Sequence, residues 1–409
     1  MFLEDIRITD FTDQVAGANS TMLLAACGAE VIRIESKLGT GFRRVGPFGY
    51  RGSGITPSEM KDIPVSPAFG EMNRGKLSIA LNMSTAKGIY LAKQLIKISD
   101  IVIDNFRFGV MQKWGLDYPN LKKTKDDLIV ITLKAMGETG PYREWRTWGP
   151  NLLSYVGFAY EWGHPDATEV VGYQGTYIDY VAPVLAGSAV VAALIYRART
   201  GKGQYIDLSQ AEVGASLLGP VFLDYLINSR NSSPRGNRHP QFAPYNCYRC
   251  RGDDRWCVIA VFNETEWQRL CEALDYPLWA NDSRFKDMKS RLKNAEELDQ
   301  NIERWTQQYT PHQVMRILQT FGIAAGAVQD AEDIYHDPQL RTSGFFMEQN
   351  LPHVGKITYP GIPLHFSEKQ SIDLDRAPFL GEHNDYVYQD LLGLSAEEIN
   401  TLVKEGVIQ

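Results

Sequence analysis

Short β-branched runs alternating with longer helical stretches organise the first third of the chain. Residues 6–10 predict a strand and residues 12–27 a helix with small positions at Ala16, Gly17 and Ala18, stopped by Gly28. Val31-Ile-Arg-Ile-Glu35 predicts the next strand and residues 77–81 a third. Ser84 or Thr85 can cap a following helix that runs to Ile98. Asp100-Ile-Val-Ile-Asp104 and Leu128-Ile-Val-Ile-Thr132 are unbroken apolar runs of the kind buried in parallel sheets. This βαβ succession predicts an α/β fold, a doubly wound Rossmann-like large domain. The longest apolar run, residues 181–196, is short for a bilayer span and rich in Ala, Gly and Val, which predicts a buried helix over 180–197. A turn, Thr200-Gly-Lys-Gly-Gln204, leads to a strand at 205–208 and an apolar helix over 211–227.

The texture then changes. Residues 228–244 are rich in Asn, Ser, Arg and Pro and predict a linker. Residues 245–330 carry their own strand signal at 257–261 and helices around Trp267, Leu298 and Val314, which predicts a smaller inserted α+β domain. Residues 1–227 are thus the first part of the large domain, and residues 331–409 a linker and return to it. The last helix opens with a capping box, Ser395-Ala-Glu-Glu398.

Composition narrows the function. The 409 residues carry a formal net charge of −7 with no basic block, which argues against nucleic acid, and the early charges of Met1-Phe-Leu-Glu-Asp-Ile-Arg7 leave no apolar signal core. No membrane association and a cytoplasmic location are expected. Five cysteines, an odd number spread along the chain, argue against a disulfide framework. Cys247, Cys250 and Cys257 have only His239 as a nearby fourth ligand. The run Tyr248-Arg-Cys-Arg-Gly-Asp-Asp-Arg-Trp256 predicts a hairpin with structural thiols instead, and no metal is expected. Glu35 stands where a carboxylate can hold a ribose hydroxyl, yet the first turn, Asp10-Phe-Thr-Asp-Gln-Val-Ala-Gly17, lacks the glycines a dinucleotide pyrophosphate requires. The Gly-Lys-Gly turn lies between a helix and a strand, the reverse of a phosphate loop. Asp179 stands at a predicted helix start, where its residue type alone reads as a cap.

Several segments together resemble the class III CoA-transferase family, which includes formyl-CoA and carnitine CoA-transferases. They are Gly28-Ala-Glu-Val-Ile-Arg-Ile-Glu35, Asn73-Arg-Gly-Lys-Leu-Ser-Ile79, Asp104-Asn-Phe-Arg-Phe-Gly109, Gly137-Glu-Thr-Gly-Pro-Tyr142, Asp179 followed by Thr200-Gly-Lys-Gly-Gln204, Asn281-Asp-Ser-Arg-Phe285, Gly322-Ile-Ala-Ala-Gly-Ala-Val328, Pro360-Gly-Ile-Pro363 and Leu380-Gly-Glu-His-Asn384. The resemblance implies a CoA-transferase that uses an acyl-CoA thioester and a free carboxylic acid as substrates and has no permanently bound cofactor. It implies that Asp179 is the catalytic nucleophile and that the dimer is interlocked, either a homodimer or a heteromer with a related subunit. It also implies a CoA site. Val15 and Ala16 would lie at the adenosine end with Leu81, Met83 and Ser84 nearby, and Asn105, Phe106 and Arg107 would line the next strand end. Lys113 and Lys134 would face the phosphates, and Met136 and Gly137 the pantetheine arm. Ser36 replaces a basic residue that some members use, and Lys113 sits where others have Arg.

The glycine-run loop of formyl-CoA transferases has no counterpart in Arg235-Gly-Asn-Arg-His-Pro-Gln-Phe-Ala-Pro244, which argues against oxalate and formate. Trp145, Trp148, Tyr155, Tyr160, Trp162 and Tyr173 offer an aromatic surface, and the runs 148–158 and 162–166 resemble members acting on succinyl-CoA and an aryl-substituted succinate such as benzylsuccinate. Arg146, Arg238 and His239 are candidates for a substrate's second carboxylate. Two rival readings stay open. One is an acyl-CoA racemase of the same fold, which needs a His in a Gly-His-Asp motif that reads Gly149-Pro-Asn151 here. The other is a non-catalytic partner subunit, against which the presence of Asp179 argues.

Overall fold

The computed structural model describes residues 1–37, 43, 66–167, 175–351, 355–368, 372 and 374–409. They form two compact units, the first comprising Met1–Phe158, Gln174–Leu223 and Ser343–Gln409, the second Ala159–Tyr173 and Asp224–Thr342.

The first unit is built on six strands: β1 Arg7–Asp10, β2 Glu30–Glu35, β3 Leu77–Ala80, β4 Ile101–Asp104, β5 Ile129–Lys134 and β6 Tyr205–Ser209. All pair in parallel, in the order β3-β2-β1-β4-β5-β6. Successive side chains of a strand point to opposite faces. Ile101, Ile103, Ile129, Ile131 and Leu133 accordingly share one core with Leu24, Ala186 and Val190. Val102, Val130 and Ile32 share the other with Leu91, Leu95 and Tyr388. Burial on both faces explains why these strands read as unbroken apolar runs, and each such side chain contributes roughly 1.5–3 kcal/mol. This is the doubly wound α/β architecture the succession predicts.

Two helices differ from their sequence reading. The apolar run 181–196 lies in a longer helix, Tyr177–Thr200, which packs along the helix Gln14–Ala26. It is long and apolar enough to cross a membrane by length and composition; here Ala186, Val190 and Ala193 join it to the sheet's core. It is not buried all round: Val184, Leu185, Val191, Ile195 and Tyr196 are 41–57% exposed. The apolar stretch 211–227 is not one helix but two, Gln210–Ser216 and Gly219–Asn228. The break falls at Leu217-Leu218, just ahead of Gly219-Pro220, because proline lacks the N–H that a continuous helix needs and suits a first turn.

The Gly-Lys-Gly turn forms as read. Gly201 takes φ +72°, and a β-carbon on Gly203 would stand 2.0 Å from the Leu128 carbonyl oxygen. After the excursion into the second unit, β10 Phe346–Leu351 and β11 Gly355–Pro360 make an antiparallel hairpin absent from the sequence reading. The final helix, Ala396–Lys404, carries its capping box: Ser395 Oγ accepts from the Glu398 N–H and Glu398 Oε2 from the Ser395 N–H.

The second unit holds an antiparallel sheet of β7 Tyr245–Arg249, β8 Trp256–Ala260 and β9 Ala324–Ala327. The β7–β8 hairpin is the one predicted around the Gly-Asp turn. Tyr248, Cys257, Trp267, Leu298, Val314 and Leu318 pack into its core. Burial pushes the Cys247, Cys250 and Cys257 thiols up, so they stay protonated.

Candidate active site

The sheet order reverses between β1 and β4, and in open α/β sheets ligands bind beyond the strand ends at such a point. Two clefts occupy that position in the first unit. One, of about 550 Å³, is lined by the residues following β1, β4 and β5, and by Asp179. The other, of about 500 Å³, is lined by the ends of β1, β2 and β3. Phe106 belongs to both.

Local hydrogen bonds fix the crevice between them. Asn105, just past β4, grips the Asp13 peptide: Oδ1 accepts its N–H at 2.8 Å and Nδ2 donates to its carbonyl at 2.6 Å. Gly17 allows this approach, since a β-carbon there would stand 2.7 Å from Asn105 Cγ. Arg33 Nη1 donates to the Thr12 carbonyl at 2.6 Å. Glu35 is held by Arg43 (2.7 Å from Nε) and by the Ser78 hydroxyl (2.8 Å), and its pKa lies below the usual range because Arg33 and Arg43 outweigh its burial. Both oxygens of Glu35 are thus engaged within the protein rather than turned toward a ribose.

Asp179 is the third residue of the helix Tyr177–Thr200, in its first turn. Its N–H donates to the Thr176 carbonyl at 2.8 Å. Burial pushes its carboxyl up to about 6, opposed only by a hydrogen bond from the Thr176 side chain. Among the described residues no cation contributes to the shift, although Arg107, Arg143 and Arg146 line the same cleft. A carboxylate so placed is both ionised near neutral pH and more basic than an ordinary one, which suits nucleophilic attack.

Lys134 lines this cleft as well, but its ammonium is engaged inside. It pairs with Glu138 Oε1 (2.5 Å), hydrogen-bonds the Thr132 hydroxyl (2.5 Å) and lies 3.7 Å from Asp104. Burial raises the Asp104 carboxyl to about 6, with Lys134 opposing.

The sequence-derived site residues divide between the clefts. Val15, Ala16, Asn105, Phe106, Arg107, Lys134 and Met136 gather with Asp179, as do Trp145, Arg146 and Trp148. Leu81, Met83, Ser84 and Lys113 line the second cleft. Gly137 is absent from both linings; it turns at φ +80° against Ser209. Arg238, His239, Tyr160 and Trp162 belong to the second unit, where Arg238 is paired with Asp299 at 3.0 Å and His239 stacks on Phe242. Tyr173 lies outside the described residues. Pro150 and Asn151, at the racemase motif's place, open a short helix: Asn151 Oδ1 accepts from the Trp148 N–H at 2.5 Å. The sequence reading missed Gln14, Arg143 and Gln210, which also line the Asp179 cleft. Gln14 has a visible cause for notice only in three dimensions, a φ of +58°.

Fold and clefts define a doubly wound α/β protein with a ligand crevice at its switch point. The chain belongs to CoA-transferase family III, whose family model matches residues 3–384, and it is a CoA-transferase. It is 30% identical over 408 residues to a succinyl-CoA–D-citramalate CoA-transferase of Chloroflexus aurantiacus, spanning 99% of this chain and 98% of that one. With a succinyl-CoA:mesaconate CoA-transferase of Haloarcula marismortui it shares 30% identity over 386 residues, 93% of this chain and 94% of the other. The chain spans only 50% of the length of a Mycobacterium tuberculosis relative, named a probable CoA-transferase, with which it is 29% identical over 412 residues. Among solved structures it is similar to a CaiB/BaiF family protein of Brucella suis, with a TM-score of 0.83 and 29% identity over 95% of this chain and 98% of that one.

Proposed function

We propose that the enzyme moves CoA from succinyl-CoA to a second dicarboxylic acid, with Asp179 carrying the acyl group. The observation that carries this is a partly buried carboxylate, raised to about 6 and unmatched by a cation among the described residues, at the switch-point cleft. The Asp179 carboxylate oxygen bonds to the thioester carbonyl carbon, the C–S bond breaks and CoA leaves as thiolate with the electron pair. The thiolate then attacks the aspartyl carbonyl of this anhydride and frees succinate, leaving an aspartyl-CoA thioester. The acceptor's carboxylate attacks that thioester to form a second anhydride. The released thiolate takes the acceptor's acyl group and restores Asp179. The thioester bond is conserved throughout, so no ATP is consumed, and water must be kept from the anhydrides.

Support for the substrates comes from the two relatives named for theirs, which pair succinyl-CoA with citramalate or mesaconate, both dicarboxylates. Arg146 has no hydrogen-bond or ion-pair partner among the described residues and lines the Asp179 cleft, which suits the distal carboxylate. An aryl-substituted succinate such as benzylsuccinate is the acceptor favoured by the aromatic wall. Trp145 stacks on Tyr142 at 3.8 Å, Tyr155 meets both rings edge-on, and Trp148 is 69% exposed. CoA itself would run from the second cleft, past Lys113 and Ser84, over Phe106 to Asp179. The active form is read as a homodimer or a heteromer with a related subunit, which would cover Leu226 and Ile227 of the helix Gly219–Asn228, 73% and 75% exposed here.

The test is incubation with succinyl-CoA and a panel of dicarboxylates, with and without aryl groups, read by mass spectrometry of new acyl-CoA. Asp179→Ala is expected to abolish transfer, and hydroxylamine to trap a hydroxamate at Asp179 in the wild type. Transfer that survives Asp179→Ala would sink the mechanism.

A further inference from the structure

The cleft side of Asp179 is shaped by two residues that carry no charge. Gly149 opens the helix Gly149–Tyr155, and its α-carbon lies against the start of the Asp179 helix. A β-carbon at Gly149 would stand 2.6 Å from Asp179 Oδ2, 2.4 Å from Thr176 Cγ2 and 2.7 Å from Thr176 Cβ. All three distances are below any real contact, so only glycine fits without displacing the carboxylate or the threonine. The two helices are clamped together just beneath, where Leu152, Leu153 and Val156 pack with Ile178 and Ala182. Because that packing is buried and apolar, neither helix can swing away cheaply to admit a side chain. Thr176 completes the arrangement. Its carbonyl accepts the Asp179 N–H at 2.8 Å, and its side chain hydrogen-bonds the Asp179 carboxylate.

We propose that Gly149 and Thr176 form a seat for Asp179: Gly149 covers Oδ2, Thr176 fixes the rotation of the carboxylate, and Oδ1 is thereby turned to the acyl carbon. Both are positioning residues, since neither touches the substrate's reacting atoms. The proposal rests on Asp179 being the nucleophile. A carboxylate in free rotation presents either oxygen at varying distances, whereas attack requires one oxygen near 3–3.5 Å from the carbonyl carbon. With no cation among the described residues to orient it electrostatically, the orientation falls to steric contact and one hydrogen bond. The charged groups that share the cleft are Asp13 before the helix Gln14–Ala26, Arg107 after β4, Lys134 at the end of β5, and Arg143 and Arg146 in the loop leading to Gly149. None is among the causes of the Asp179 shift.

Gly149→Ala, Thr176→Val and Thr176→Ser test it, each compared with the wild type by thermal melting, by calorimetric binding of CoA and by single-turnover formation of the Asp179 adduct from succinyl-CoA. Gly149→Ala is expected to leave CoA affinity within about twofold and to slow adduct formation on the order of 100-fold, the scale of an ångström-sized misplacement. Thr176→Val is expected to slow the same step and to move the acid limb of its pH profile to higher pH, because the hydrogen bond that favours the charged form is gone. Thr176→Ser, which keeps the hydroxyl, is expected to restore both. Wild-type adduct rates in folded Gly149→Ala together with an unmoved acid limb in Thr176→Val would overturn the seat and leave the nucleophile standing. Absence of any Asp179 adduct in the wild type would overturn the nucleophile itself.

Discussion

Lys76 and Asp10 form a fully buried ion pair at the C-terminal end of β1, with Nζ 3.2 Å from Oδ2 and both side chains sealed from solvent. The pair is completed rather than left bare. Lys76 also donates to the Ala18 carbonyl and Asn73 Oδ1, both at 2.9 Å, while Asp10 accepts from the Thr21 hydroxyl and the Thr12 N–H. Asn73 and Lys76 of the Asn73-Arg-Gly-Lys76 segment are thus fasteners of the first βα turn. Burial still draws the Lys76 ammonium down to about 8.

Removing one partner of such a pair leaves an unmatched buried charge. Lys76→Met is expected to destabilise the fold by about 3–5 kcal/mol. The double variant with Asp10→Asn should recover part of that loss, because the stranded carboxylate is gone. Chemical denaturation of the two variants against wild type measures both values.

Transfer should have an acid limb set by Asp179. Its carboxyl is raised to about 6 by burial, and only the ionised form attacks. Below that pH the rate of adduct formation is expected to fall about tenfold per pH unit, and above it to level off. An unperturbed carboxylate would hold the plateau down to about pH 4. Rapid-quench measurement between pH 4.5 and 8 separates the two.

Lys134 is predicted to act on stability and not as a phosphate ligand. Its ammonium is already shared by Glu138, Thr132 and Asp104. Lys134→Met is expected to lower the melting temperature, since two carboxylates lose their cation, while the salt dependence of KM for the acyl-CoA stays as in wild type. Lys113→Met, at the second cleft, is expected to do the reverse: raise KM, flatten its salt dependence and leave melting unchanged. A flattened salt dependence in Lys134→Met would reverse the assignment.

The sheet was legible because its strands are buried on both faces, so β1, β2, β4 and β5 announce themselves as apolar runs within a residue or two. The stretch 211–227 reads as one helix because its apolar texture is continuous across Gly219-Pro220, although it folds as two. The exposed face of the Asp179 helix was hidden for a related reason: Val184, Leu185, Val191 and Ile195 are as apolar as the residues buried opposite them. The resemblance implies Val15 at the adenosine end beside Leu81, Met83 and Ser84, whereas Val15 lines the Asp179 cleft and those three line the other; in the sequence Gly149 is only the glycine of a motif whose His is missing. Its fit to Asp179 Oδ2 depends on how two helices meet, which no local pattern records. Lys134 shows the opposite limit, since a lysine at a strand end looks free until its three partners are in place.

Asp179 sits inside its cleft as a charge with no counter-ion among the described residues, and this sets folding against the proposed chemistry. Its folded pKa lies above the unfolded value of 3.8, so the folded chain holds this proton the more tightly. The group therefore costs nothing in stability below about pH 4 and costs increasingly as pH rises through 6, reaching about 1–3 kcal/mol at neutrality. Asp179→Asn removes the charge and keeps the shape, so the variant is expected to melt at a higher temperature than the wild type at pH 7.5. At pH 4 the two should melt together. On the proposed mechanism, a nucleophile kept basic by poor solvation is a standing tax on the native state, and selection for activity alone would maintain it.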